Sequence, residues 1–214
     1  YLPIAYMIVF SFNQSKGYSL FTGFTLKWYR SLFTNASILH ALWVSVEVAV
    51  LSAIIATVLG TAASLGIASM SRKSRLLVTN ITYIPVVNPE IITGISLMLM
   101  FVFVGRLFGA ATSLSFWTML IAHVTFCLPY VILQVLPKLQ QMDKSLPEAA
   151  MDLGCTPIRA FFKVEIPEIM PGIVTGLIMA FTLSLDDFVI SYFTQGNGFQ
   201  TLPIRIYSMT KKTV

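Results

Sequence analysis

Five stretches of this chain are apolar all round the helices they would form, and polar residues collect between them. Residues 1–12 read as the end of one stretch, followed by 38–68, 76–104, 116–136 and 169–193. About 20 apolar residues cross the hydrocarbon layer of a membrane as a helix, so these are predicted spans, the 38–68 stretch with length to spare for tilt. The segment 194–214 is too polar to span. Tyr1 begins within an apolar run and without a Met, which points to further chain before it. The pattern predicts an all-α, polytopic transmembrane helical bundle, one domain over residues 1–214, with no internal repeat.

A long polar insert, residues 137–168, separates the last two spans. Ser145-Leu146-Pro147-Glu148 fits a helix start in which Ser145 caps the amide three residues on and Glu148 reaches back, with Pro tolerated in the first turn. Gly154 supplies a left-handed stop, and Thr156-Pro157 opens a second short helix. The expected product is a helix–turn–helix elbow on the membrane surface, offering Ala149, Ala150, Leu153, Ile158, Phe161 and Phe162 to a partner's groove. The alternative is an elbow packed only on its own bundle, with Glu148 merely a cap.

Composition agrees with a membrane protein: 56% hydrophobic and 11% charged residues, against about 25% charged in soluble domains, and a mean hydropathy of +0.80. The net charge of +5 is what basic residues at membrane borders supply and gives no ground for nucleic acid. Of the 14 basic residues, the loops 69–75 and 137–168 hold as many as the remaining loops, Lys16, Lys144 and Lys212 among them, so charge alone orients the chain weakly. Cys127 in a span and Cys155 in the insert imply neither a disulfide framework nor a metal site.

Glu47, Glu90, Asp186 and Asp187 fall inside apolar spans, where an ionised group costs about 2.5–3.5 kcal/mol on insertion scales and calls for a lumen, a partner or a function. Glu90 lies about 21 Å beyond Leu76 and Asp187 about 24 Å beyond Pro171 at the helical rise, so the two reach similar depth and can line one site. Ser184, Asp187 and Ser191 share a stripe at spacings of three and four, with Asp186 about 100° around. Asp187 is therefore the first candidate and Asp186 the second, while Glu47 sits near a span end and snorkels. Pro85 and Pro89 interrupt the third span just before Glu90, and broken helices at membrane depth line cavities or are buried in protein. Carboxylates in a pathway suit a cationic substrate. The rings of Phe126, Tyr130, Phe188 and Tyr192 stand near the same depth for cation–π contacts of about 0.5–2 kcal/mol, although ordinary packing accounts for any single ring. His123, Cys127, Tyr130 and Gln134 share one face. A metal site there has no third ligand, and lining of the bundle interior is the better reading.

Glu148-Ala149-Ala150, then Gly154, then the close Val164-Glu165-Ile166-Pro167 resemble the EAA loop of ATP-binding-cassette importer permeases, whose usual close is Ile-x-Leu-Pro. FTLSLDDFVISYF (181–193) and TLPIRIYSM (201–209), with FTLKWY, NPEIITGISL and HVTFCLPYV, resemble spermidine/putrescine importer permeases of the PotC type over nearly the whole chain. The resemblance implies the type I importer permease fold, with a sixth helix beyond Val214 to complete it, and half of a translocation pathway worked by alternating access. It implies a pathway role for Asp187, Asp186, Glu90, Tyr130, Phe126 and Tyr192, and an ATPase-coupling role for Glu148, Ala149, Ala150, Gly154 and Pro167. The implied partners are a second homologous permease, two copies of an ATPase subunit, an extracytoplasmic polyamine-binding protein meeting residues 196–209, and the lipid bilayer of a bacterial inner membrane, with 69–75 and 137–168 cytoplasmic. ATP and Mg²⁺ then belong to the ATPases, and this chain carries no cofactor, metal or catalytic residue; no P-loop pattern occurs in it. Thiamine or ferric ion is the alternative cargo. An ion-coupled transporter leaves the insert unexplained, and an intramembrane aspartyl protease needs two aspartates facing each other.

Overall fold

The computed structural model describes residues 1–15, 17, 20–109, 114–143, 145–196 and 198–211; Lys16, Lys144 and Lys212 of the charge tally, and residue 197 of the expected outer segment, fall outside them. In chain order the helices are α1 (Leu2–Phe10), α2 (Lys27–Thr34), α3 (Ala36–Ser69), α4 (Arg72–Val87), α5 (Glu90–Leu107), α6 (Phe116–Gln141), α7 (Ser145–Asp152), α8 (Pro157–Ala160), α9 (Ile166–Asp186), α10 (Val189–Thr194) and α11 (Leu202–Lys211), with a π turn Phe161–Glu165 joining α8 to α9. Among the described residues, four stretches are long and apolar enough to cross a membrane: Ala36–Ser69, Glu90–Leu107, Phe116–Gln141 and Pro157–Asp186. The α1 helix has 9 residues and buries none of them, about 13 Å of helix.

The third stretch breaks at Pro89, whereas Pro85, expected to share in the interruption, stays inside α4. Helix α4 stops at Val87, Asn88 and Pro89 are extended with ψ of 138° and 131°, and α5 starts at Glu90. Pro89 has no N–H to donate and its ring disfavours a helical Asn88. The fifth stretch differs from expectation. It does not run as one helix over 169–193; the rod starts at Pro157, ends at Asp186, and resumes at Val189 after Asp187 turns to ψ 125°. The Asp187 carboxylate accepts the Ile190 and Ser191 amides at 3.2 and 2.7 Å, so the residue read as mid-helix is the cap of a new one. A further helix, α11, opens at Leu202 within the polar terminal segment, its Leu202 amide bonded to Ser45 Oγ at 2.7 Å.

The core is the junction of α3, α6 and α9. Along the α3 side facing it stand Ser45, Ala49, Ser52, Ala53, Ala56, Gly60 and Ser64, all buried. Lipid tails are as apolar as leucine, so helices in a bilayer associate through close packing, and small residues permit it. Val131 of α6 is the wedge: a Cβ on Gly60 would stand 2.6 Å from its Cγ1, and one on Gly176 of α9 3.2 Å from the same atom. Further along, a Cβ on Gly172 would meet the Gln134 carbonyl oxygen at 3.0 Å. Contact order along the three helices makes α3 and α6 parallel and α9 antiparallel to both, since Ser52, His123 and Ser184 meet at one level and Gly60, Val131 and Gly176 at the next. At the end of α3, Arg75 donates to the Ala68 and Met70 carbonyls at 2.8 and 3.0 Å and closes the turn into α4.

Gly60→Ala is expected to destabilise the bundle by about 1–3 kcal/mol through overpacking. Adding Val131→Ala should recover part of that loss, so that the double variant melts above the sum of its parts. Thermal unfolding in detergent measures both, and strict additivity would show that the wedge is not where the helices meet.

Candidate functional site

The level just above the Val131 wedge is polar. His123 of α6, fully buried, places Nδ1 2.7 Å from Ser184 Oγ at the end of α9 and Nε2 2.9 Å from Ser191 Oγ on α10. Ser52 of α3 donates to Ser184 at 2.8 Å, and Asp187 Oδ2 lies 3.6 Å from Nε2. With Ser52 as donor, the Ser184 proton is left for Nδ1, and the ring then carries its own proton on Nε2, toward Ser191 and Asp187. Burying such groups is costly unless each finds partners, and here every one has them. Cys127 hangs one turn below, its Sγ 3.4 Å from the Ala180 carbonyl. The face holding His123 and Cys127 therefore lines the interior, and both ring nitrogens are engaged by serines.

The adjacent acids part company at the break. Asp187 is buried and committed to α10, whereas Asp186, last residue of α9, is exposed. Glu90 is exposed at the first turn of α5, one turn from Gly94, which abuts Val189, Ile190 and Phe193. Helical neighbours four apart share a face, so Glu90 lies on the α5 side that meets α10. Tyr130 packs edge-on against buried Phe126 at 5.5 Å. Tyr192, exposed, joins Phe188 at 5.6 Å and Tyr207 at 6.5 Å, and Phe188 meets Tyr207 at 5.1 Å. The candidate rings thus fall into two groups, Tyr130–Phe126 and Phe188–Tyr192 with Tyr207, and Asp187 turns to His123. Glu47 is exposed on α3.

The elbow is built from local chemistry. Helix α7 ends in a pair of reversed bonds, Cys155 N to Ala150 O at 3.0 Å and Gly154 N to Met151 O at 2.9 Å, with Gly154 at φ +90°. That is the glycine stop the sequence suggests. Thr156 then flanks Pro157 at the first position of α8. The start of α7 differs: the Ser145 amide donates to Asp143 Oδ1 at 2.9 Å, and Ser145 lies inside the helix. A carboxylate two residues upstream outcompetes the Ser145–Glu148 capping box, leaving Glu148 exposed. The π turn also has a cause. Pro167 sits in the first turn of α9 and its ring would crowd the carbonyl four residues back. The chain widens there instead, and the Ile166 amide donates five residues back to Phe161. Leu153, Ile158 and Phe162 are 88%, 72% and 63% exposed, with Ala149 open and Ala150 half-buried between them. Among the described residues they form an exposed apolar surface.

Ser52, Tyr207 and Asp143 were not read from the sequence as site residues. Ser52 had a signal, its place in a file of small residues at helical spacing. Tyr207 and Asp143 had none stronger than position.

Residues 56–213 match the model of the family described as binding-protein-dependent transport system inner membrane component. The chain is 38% identical to the putrescine transport system permease protein PotI of Escherichia coli K12 over all of its own length and 76% of that protein. It is 37% identical to the spermidine/putrescine transport system permease protein PotC of the same organism, covering 99% of the chain and 78% of that protein. Against PotC of Haemophilus influenzae Rd it is 35% identical, over 100% and 81% respectively.

The Ser145 amide, and with it the Ser145 hydroxyl, hold the Asp143 carboxyl below its usual value. A depressed carboxyl contributes stability above its unfolded pKa of about 3.9 and loses it as pH falls through the lower folded value. Hydrogen-exchange protection of the first turn of α7 is expected to stay level from neutral pH down to about 4 and to fall only below it. Loss beginning nearer pH 6 would assign the start of α7 to another group.

Proposed function

The chain belongs to the family of inner membrane components of binding-protein-dependent transport systems, and we propose that it is one permease half of an ATP-driven importer for polyamines. The cargo is carried over from relatives named for putrescine and spermidine/putrescine transport. The observation that supports it on this chain is the exposed Asp186 carboxylate at a helix break, with Glu90 exposed on a neighbouring helix and rings on either side. A polyamine is a flexible methylene chain with ammonium groups at intervals. Carboxylates neutralise the ammoniums and aromatic faces take both the charge and the methylenes. In this reading Asp186 and Glu90 hold cargo, Tyr130 and Tyr192 flank it with Phe126 supporting Tyr130, and Asp187 shapes the break without touching cargo.

The permease does no chemistry itself. ATP and Mg²⁺ bind two ATPase subunits in the cytoplasm, and the apolar face of Leu153, Ile158 and Phe162 seats in a groove on one of them. Glu148, Ala149 and Ala150 lie along that contact, Gly154 makes the bend, and Pro167 sets the junction with α9. Residues 69–75 and 137–168 face the cytoplasm of a bacterium in this reading. A second homologous permease completes the pathway, and a polyamine-binding protein delivers cargo near residues 196–209 from outside.

Uptake of labelled spermidine and putrescine into vesicles holding the whole complex, its binding protein and internal ATP tests the reading; ATP-dependent uptake of neither would reject the cargo. Asp186→Asn is expected to cut kcat/KM for spermidine about tenfold without lowering the melting temperature. Asp187→Ala should instead cost about 1–2 kcal/mol of stability as a lost cap. Gly154→Val forces a β-branched residue to positive φ, and the expected result is ATP hydrolysis that no longer tracks uptake. Normal coupling in that variant would remove the elbow from the transmission path.

A further inference from the structure

We propose that His123 is a positioning residue that staples α10 to α9 across their break and thereby fixes where Asp186 and Tyr192 stand relative to each other. Only Asp187, which is extended, and the cap residue Phe188 join the two helices. Such a joint leaves the direction of α10 free unless something outside the chain segment sets it. Asp187 ties down only the start of α10, since its carboxylate bonds the Ile190 and Ser191 amides. Gly94 of α5 packs against α10 alone of the two halves, whereas α6 bonds to both. The imidazole is a rigid plate with its nitrogens on opposite edges, one bonded to Ser184 of α9 and the other to Ser191 of α10, at 2.7 and 2.9 Å. Ser52 anchors the Ser184 end to α3 at 2.8 Å, and Asp187, 3.6 Å from Nε2, stands beside the other end. His123, Ser52, Ser184 and Ser191 are all buried, so water does not compete for these bonds in the chain as folded.

The residues flanking the staple are the ones that point outward. Asp186 follows Ser184 by two residues and is exposed; Tyr192 follows Ser191 and is exposed. A shift of α10 against α9 therefore changes the spacing between a carboxylate and a ring. For a ligand with charges at fixed intervals, that spacing governs fit. The functional consequence rests on the pathway reading above, whereas the staple itself rests on the distances.

The test uses the complete complex in lipid nanodiscs and vesicles, with His123→Ala, Ser191→Ala and their combination. Hydrogen exchange of the peptide covering residues 187–195 is expected to quicken about tenfold in His123→Ala, with Ser191→Ala adding nothing further on top of it. KM for spermidine should rise about tenfold while the rate at saturation stays within about twofold. Two conservative variants separate a staple from mere filling of space. His123→Gln keeps a donor near Nε2, and His123→Asn keeps a polar atom near Nδ1, so Gln should restore protection of α10 better than Asn. Unchanged exchange in His123→Ala, additive effects with Ser191→Ala, equal rescue by Gln and Asn, or faster exchange with an unaltered KM would each overturn the proposal. If the wild-type complex imports no polyamine, the cargo reading fails, and the exchange and rescue results still uphold or reject the staple.

Discussion

Everything in this bundle depends on how closely α3, α6 and α9 approach at Val131. In water three amphipathic helices would be driven together by their apolar faces; in lipid that force is absent, and contact itself must hold them. Glycines at 60 and 176 let the valine side chain touch two backbones at once. Only with the axes this near can Ser52, His123 and Ser184 reach one another from three helices. The polar layer is thus a product of the packing layer below it, and in turn it satisfies the groups that a broken helix would otherwise leave open within an apolar surround.

That arrangement divides the labour of two adjacent acids. Asp187 is turned inward, where two amides take its charge. Asp186 has no such obligations and faces outward. Neighbours on a chain usually share an environment, but a break between them gives each its own. The same division recurs at the elbow, where Asp143 spends its carboxylate on the start of α7 and leaves Glu148 open.

Much of the fold was legible because its causes are local. Apolar runs gave the spans, Pro89 gave the break before Glu90 while Pro85 proved to sit inside α4, and Gly154 with Thr156-Pro157 gave the two ends of the elbow's bend. The break at Asp187 was not legible. No proline or glycine announces it, and the Ser184, Asp187, Ser191 stripe looks like one face of an unbroken helix. What decides the matter is His123 and Ser52, 61 and 132 residues from Ser184 along the chain, and spacing alone cannot report partners at that separation. The Ser145 cap failed for a smaller reason: two carboxylates competed for the Ser145 amide, and the one that holds it, Asp143, lies just outside the motif.

The π turn at Phe161–Glu165 has a further effect on the rod it interrupts. In an uninterrupted helix Ile158, Phe162 and Ile169 would fall on one stripe by their spacing. One extra residue in the turn advances the winding by about 100°. Ile169 accordingly faces the core, fully buried, while Ile158 and Phe162 face away from it. A load applied at those two side chains acts off the line of the seam that Ile169 occupies. The rod carries it into the membrane as torque as well as thrust.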